Sequence, residues 1–377
     1  MYKIDFYNNL DNTVYWEQNL GDSIFEKKPF LNANVISNQN IRYVFAEVVK
    51  NNELIAKLLI QIVPFEGSEL KNYLSEDVSC LVKATIETVL EKVNWELAVI
   101  GNLFVSGDNG QYWKPQITES EKCEVLKQTS RLLRKTKEVD SVLISELNYE
   151  ESLCSKGLES NGFKLFEIEP ELYIDIPKKW NVFEDYLADM KSKYRVRTKK
   201  VLKDSAKLEM KNFSADDILE NNIQIQKLYK NVTNKIGFKL AEVSQNYFYN
   251  LKLILKDDFT FTAYYLNGKM LGFINTINSN DLLEVHLIGL DYDINKSMSL
   301  YQRILYDCIK EAIEKNMNHI NFGKTATTIK TTVGAKPKRA FGLLKHSNKV
   351  SNIGIKPFFK FLKPEPIESR NPFKEAI

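Results

Sequence analysis

Residues 260–290 read TFTAYYLNGKMLGFINTINSNDLLEVHLIGL, and this stretch decides the architecture. Residues 260–266 and 270–277 are rich in β-branched and aromatic side chains. They flank Asn267-Gly268, a pair that tolerates the positive φ angles of a tight hairpin turn. Residues 282–290 then alternate as a third strand. Short turns between consecutive strands make them antiparallel, and no GxGxxG follows a strand anywhere in the chain. A single doubly wound domain therefore fits poorly.

Working outward, residues 299–316 place Leu300, Ile304, Leu305, Cys308, Ile309, Ala312 and Ile313 on one helical face, and residues 319–322 resume as a strand. Upstream, the pattern predicts a helix over 182–203, a strand over 208–212 and helices over 216–235 and 244–256. The first half follows the same logic. A hairpin spans 41–64 around residues 50–53, strands fall at 97–105, 141–145 and 165–176, and helices at 120–137 and 151–161, the last ended by Gly162. Each half reads as helices, a meandering sheet and then strand–helix–strand, so the chain is expected to be two α+β units in tandem.

The 377 residues suit two ordinary domains, and 44% hydrophobic with 27% charged residues excludes a disordered or low-complexity chain. No stretch approaches the roughly 18–20 apolar residues of a membrane span, and the start MYKIDFYNN has neither a basic nor an apolar leader segment. The expected location is cytoplasmic. Cys80, Cys123, Cys154 and Cys308 lie far apart and the three histidines (286, 319, 346) show no metal-ligand spacing, so no disulfide framework and no metal site is expected.

The net charge of +3 conceals an asymmetry. Residues 1–178 hold 19 Lys+Arg against 28 Asp+Glu, a balance of −9, and the remainder holds 33 against 21, a balance of +12. An anionic ligand should meet the second half. Residues 191–203 contain seven cations and no acid, spread over more than one helical face, with Arg195 and Arg197 suited to bidentate phosphate contacts. Residues 315–364 contain eleven more and again no acid, with Lys324, Lys330, Lys336, Lys338 and Arg339 among Thr- and Gly-rich turns. An exposed solvating helix and a basic terminus are the plainer readings of the two runs. On the strand over 282–290, Glu284, His286 and Ile288 share a face by alternation. The aromatic set Tyr247, Phe248, Tyr249, Tyr264 and Tyr265 reads as core, or as the lining of an acceptor pocket. The basic-aromatic run 357–363 suits docking on the protein body better than membrane contact.

Two segments carry a family resemblance: Ser192-Lys193-Tyr194-Arg195-Val196-Arg197-Thr198-Lys199-Lys200, and Asn321-Phe322-Gly323-Lys324-Thr325-Ala326 with Ile329-Lys330 and Val333-Gly334-Ala335. Together they resemble tandem GNAT-fold proteins related to the Fem peptidyltransferases. The resemblance implies an α+β fold of two GNAT-like domains, each a mixed, mostly antiparallel sheet flanked by helices. The expected boundaries are 1–178 for an acidic, degenerate copy, 179–346 for a basic donor-binding copy and 347–377 for a tail. It also implies transfer of an acyl or aminoacyl group to an amine, with no permanently bound cofactor. The donor would be acyl-CoA, aminoacyl-tRNA or acyl carrier protein, and the reaction one of cell-envelope or lipid synthesis. Glu284 or His286 would deprotonate the amine and Tyr301 would protonate the leaving group. Tyr194, Arg195, Arg197, Lys199, Lys296, Gly323, Lys324, Thr325 and Lys330 would hold donor phosphate. Where the superfamily usually places a glycine-rich pyrophosphate loop, this chain has Asp291-Tyr292-Asp293-Ile294-Asn295-Lys296-Ser297-Met298-Ser299. That departure supports a second reading, a non-catalytic binding protein for RNA, a nucleotide-linked precursor or anionic lipid.

Overall fold

The computed structural model describes residues 2–74, 78–107, 109–147, 153–235, 239–359 and 369–374. They form two compact units. Unit 1 comprises residues 1–169, 237–243 and 339–365, and unit 2 comprises 170–236, 244–338 and 366–377.

Along unit 1 run β1 (Lys3–Tyr7), α1 (Lys28–Ser37), β2 (Arg42–Lys50), β3 (Glu53–Glu66), α2 (Cys80–Leu90), β4 (Asn94–Ile100), β5 (Gln111–Trp113), α3 (Glu119–Lys135), β6 (Ser141–Leu147), α4 (Leu153–Ser160) and the start of β7 (Lys164–Asp175). Unit 2 holds the end of β7, then α5 (Phe183–Asp189), α6 (Ser192–Asp204), β8 (Glu209–Asn212), α7 (Ala215–Glu220), α8 (Asn222–Thr233), α9 (Tyr247–Leu255), β9 (Phe259–Leu266), β10 (Lys269–Ser279), β11 (Leu282–Leu290), α10 (Tyr292–Met298), α11 (Leu300–Glu314), β12 (His319–Asn321) and α12 (Thr327–Thr332). The chain then passes through β13 (Lys336–His346) to α13 (Lys349–Phe359) in unit 1.

In unit 1 the strand order is β1-β2-β3-β4-β6-β13, antiparallel except for the parallel pair β4 and β6. The β2–β3 hairpin turns on Asn51-Asn52, both at positive φ (52° and 64°), as an asparagine pair allows. α3 starts on a capping box between Thr118 and Glu121 and buries Val125, Leu126 and Leu133 in the core that holds Ala98, Ile100, Val142 and Ile144. The ammonium of Lys57, fully buried in β3, meets Glu26 at 2.5 Å and donates to the carbonyls of Trp16 and Gln18. Glu26 in turn accepts the N–H groups of Leu20 and Gly21, so the buried pair ties the N-terminal loop to the sheet.

In unit 2 the order is β7-β12-β11-β10-β9-β8, with β11 and β12 parallel and the other pairs antiparallel. α11 buries Ile304, Leu305, Cys308, Ile309 and Ala312 in one core with Leu283, Val285, Leu290 and Ile320 of the sheet. α9 contributes Phe248 to an aromatic group with Phe261 and Phe273, whose rings stack at 4.8 Å. The single helix expected over 182–203 is two. Met190 leaves helical geometry to bridge Phe373, and the Lys191 N–H donates to the Pro372 carbonyl. Phe373 also packs on Trp180 and Tyr186, so described residues of the tail dock on the body of unit 2. The helix expected over 216–235 likewise breaks at Asn221.

Glycine positions follow from close approach. A Cβ on Gly289 of β11 would lie 2.1 Å from the Phe273 ring. We predict that Gly289→Ala destabilises the protein by about 1–3 kcal/mol through overpacking. Gly354→Ala in α13, where a Cβ meets nothing within 4 Å, should be neutral or stabilising; denaturant midpoints of the two variants test the contrast.

Candidate active site

β11 and β12 pair through three residues only: Leu282 with His319, Leu283 with Ile320 and Glu284 with Asn321. Beyond that point β11 runs on to Leu290 while the other chain turns away, so the two strands part. The turn is tight, with Gly323, Thr325 and Ala326 all at positive φ (64°, 65° and 49°). Asn321 stabilises it by accepting the Gly323 N–H on Oδ1 at 2.8 Å. Lys330, 5% exposed, reaches beneath it and donates to the carbonyls of Phe322 at 2.7 Å, Gly323 at 3.5 Å and Lys324. This corrects the expectation that Lys330 holds donor phosphate, since its ammonium is buried under the turn and used by backbone oxygens. Gly323 is buried, while Lys324 and Thr325 are half-buried on the turn.

The two putative bases lie on β11 on either side of an irregularity. β10 pairs Ile274 with Ile288 and Thr276 with Val285, so two residues of β11, His286 and Leu287, stand opposite the single Asn275. This is a β-bulge. The Asn275 side chain fills the gap, donating to the Leu287 carbonyl at 2.9 Å and accepting the Leu287 N–H at 3.2 Å. The bulge corrects the expected alternation. Leu283 and Val285 enter the core before it, and Ile288 and Leu290 pack with that same core after it, so Ile288 does not share a face with Glu284.

Glu284 is buried where the strands part. His286 sits 2.9 Å through Nε2 from the Tyr247 hydroxyl of α9, and burial alone pushes its pKa down to about 3, so the imidazole is neutral at physiological pH. Tyr301, in the first turn of α11, packs against the core of unit 2, and burial raises its phenol further above the neutral range. Of the other aromatics, Tyr264 is buried and donates to Asp307, and Phe248 is core.

On α6, Thr198 and Val201 are buried, and the Thr198 hydroxyl donates to that of Tyr306 on α11. The remaining surface presents cations: Arg195 and Tyr194 are half-buried, and Lys193, Arg197, Lys199, Lys200 and Lys203 are exposed. Among the described residues none of these cations meets a carboxylate. α10, which carries Lys296, packs on both α6 and α11 in place of the expected loop; the Lys296 side chain lies outside the described residues. The structure thus gathers α6 and α10. Lys338 and Arg339 lie on β13, the first over the Tyr173 ring and the second paired with Glu167. An open cleft of about 490 Å³ lies at the opposite end of the β11–β12 pair, lined by residues including Leu282, His319, Asp175, Asp281, Lys336 and Lys338. Its aspartates offset its lysines.

Asn275 and Asn321 escaped the sequence reading. Their only signal is an amide in an otherwise apolar strand, which buries a polar group at a cost unless it is bonded. Among the described residues no helix is long and apolar enough to cross a membrane, and no group of three or more His, Cys, Asp or Glu is placed to hold a metal ion.

No family model and no curated protein matches the chain. Solved structures do. FemX aligns over 94% of this chain and 100% of its own, with a TM-score of 0.58 at 10% identity. A tandem GNAT protein from the clavulanic acid biosynthesis pathway aligns over 92% of this chain and 99% of its own, with a TM-score of 0.51 at 10% identity. At such identity the likeness is one of fold, and it agrees with two α+β units whose second sheet parts between a parallel strand pair: the chain has the tandem GNAT fold, similar to that of FemX.

Proposed function

We propose that the chain is an acyltransferase that moves an acyl or aminoacyl group from a phosphate-bearing donor to an amine at the parting of β11 and β12. The observation that carries this reading is the bulged, half-unpaired β11, with a buried carboxylate at Glu284 and a neutral imidazole at His286. The strand beyond Glu284 supplies backbone N–H groups that can polarise an acyl carbonyl. An imidazole that is already neutral accepts a proton from an amine without first losing one. Tyr301, at the start of α11, is the proposed proton source for the leaving group.

The cations of α6, with α10 beside it, are the proposed donor-phosphate surface, and Arg195, Arg197 and Lys199 are its main contacts. Acyl-CoA is the first donor to test, with aminoacyl-tRNA and acyl carrier protein as the others. The helix α10 at residues 292–298, where a glycine-rich loop would cradle pyrophosphate, favours the second reading, a binding protein for RNA, a nucleotide-linked precursor or anionic lipid.

Thermal shift against CoA, acyl-CoA and bulk aminoacyl-tRNA at two salt concentrations, followed by transfer assays with an amine panel, tests the first reading against the second. The variant Glu284→Gln/His286→Gln/Tyr301→Phe should lose turnover by about 100-fold or more with donor affinity nearly kept. Binding without turnover by the parent protein would favour the binding-protein reading. Two further variants separate ligand contact from architecture. Arg197→Glu/Lys199→Glu should abolish the salt-sensitive part of donor binding with the thermal midpoint held. Lys330→Met should lower stability by roughly 1–3 kcal/mol, because it strands buried carbonyls.

A further inference from the structure

The Tyr247–His286 contact admits two neutral forms. If the tyrosine hydroxyl donates to Nε2, the imidazole proton is on Nδ1. If Nε2–H donates to the hydroxyl oxygen, Nδ1 carries a bare lone pair. Nδ1 is buried and has no hydrogen-bond partner among the described residues. The first form therefore strands a buried N–H donor and the second leaves only an unused acceptor. Buried orphan N–H groups are the rarer of the two in folded proteins. The protonated imidazole strands the same donor and adds a buried charge.

The surroundings favour a fixed neutral ring. Glu284 lies two positions before His286 on the same strand, α9 presents Tyr247 and Phe248, and α8, which packs on β11, buries Tyr229 while Lys227 and Lys230 are exposed. Burial alone accounts for the depressed basicity, with no charged neighbour contributing. The ring also stands in the bulge, past the last residue of β11 that β12 pairs. A substrate entering between the strands would meet it there.

We propose that Tyr247 is a positioning residue that holds His286 as the Nε2–H tautomer, leaving Nδ1 as the lone pair that takes the proton of the acceptor amine. This rests on the acyltransferase reading. The amine nitrogen bonds to the acyl carbon, and the bond from that carbon to the donor sulfur or oxygen breaks. The amine proton passes to Nδ1 and then to solvent, while the leaving atom is protonated by Tyr301, which is reprotonated from solvent. Tyr247 gains and loses nothing; it fixes which nitrogen is free.

The chain has three histidines, so the full-length protein labelled with ¹⁵N in its imidazoles gives three resolvable rings, assigned through His319→Gln and His346→Gln. Long-range ¹H–¹⁵N correlation at neutral pH should find His286 as a single tautomer protonated on Nε2, still neutral well below the ordinary histidine pKa of about 6.5. Tyr247→Phe, which keeps the ring and removes the hydroxyl, should mix or reverse the tautomers and lower kcat by roughly tenfold with donor KM unchanged. A proton on Nδ1 in the parent protein, or a tautomer indifferent to Tyr247→Phe, overturns the proposal. If Tyr247→Phe does not fold, the parent spectrum still decides the tautomer, and His286→Gln must then cost kcat and leave donor binding unchanged. A parent spectrum as expected with no transfer from any donor retires the acyltransferase reading and the base assignment with it, leaving Tyr247 a structural partner of His286.

Discussion

The ammonium of Lys330 beneath the carbonyls of residues 322–324 is the contact on which the shape of unit 2 turns. A parallel strand pair gains a ladder for as long as both chains run together. Here β12 stops after Asn321, and the turn that ends it stacks several carbonyl oxygens and three residues at positive φ into a buried corner. Thr325 and Ala326 have no glycine's freedom there, so the conformation must be held by its surroundings. One cation offsets the crowded oxygens, Asn321 satisfies the first free N–H, and the departing chain leaves the far end of β11 without that neighbour.

The second constraint is the bulge, and it explains why the site was half legible. The order of strands and helices could be read because the signals were local: Asn267-Gly268 and Asn51-Asn52 for hairpins, the apolar stripe of α11, and Gly162 at φ 89° after α4. Alternation correctly put Glu284 and His286 on a strand. It then failed at Ile288, because a single extra residue reverses every later side chain and nothing in LLEVHLIGL marks it. The compensating group is Asn275, thirteen positions before Ile288 and on another strand. Such a pairing is a tertiary fact.

The same logic accounts for the helices. The run over 182–203 contains neither Gly nor Pro at its break, and its interruption comes from Phe373, nearly two hundred residues away. Lys330 is the clearest case of composition misleading. A lysine in a basic, Thr-rich segment reads as an anion contact, and only the fold reveals that its partners are backbone carbonyls beneath it. The cations of α6 are the opposite case: Thr198 and Val201 take the inward positions, and the charges are left outside without carboxylate partners among the described residues.

These features divide the electrostatics of unit 2 into two regimes. On the surface of α6, charges sit in water, where each is worth little alone and acts mainly by raising the local concentration of an anion. At the parting of β11 and β12 the polar groups are buried, where an unsatisfied donor or a proton in the wrong place costs more than a surface ion pair gains. A basic exterior tolerates substitution one residue at a time, because several cations share the task. The interior does not, since Asn275, Asn321 and Lys330 each satisfy a specific backbone group for which no other side chain is placed to substitute. Recognition of a donor and control of a proton therefore fall to different residues held by different forces. A chain can lose the glycine-rich loop of its relatives while keeping the parted strands, because the two are built independently.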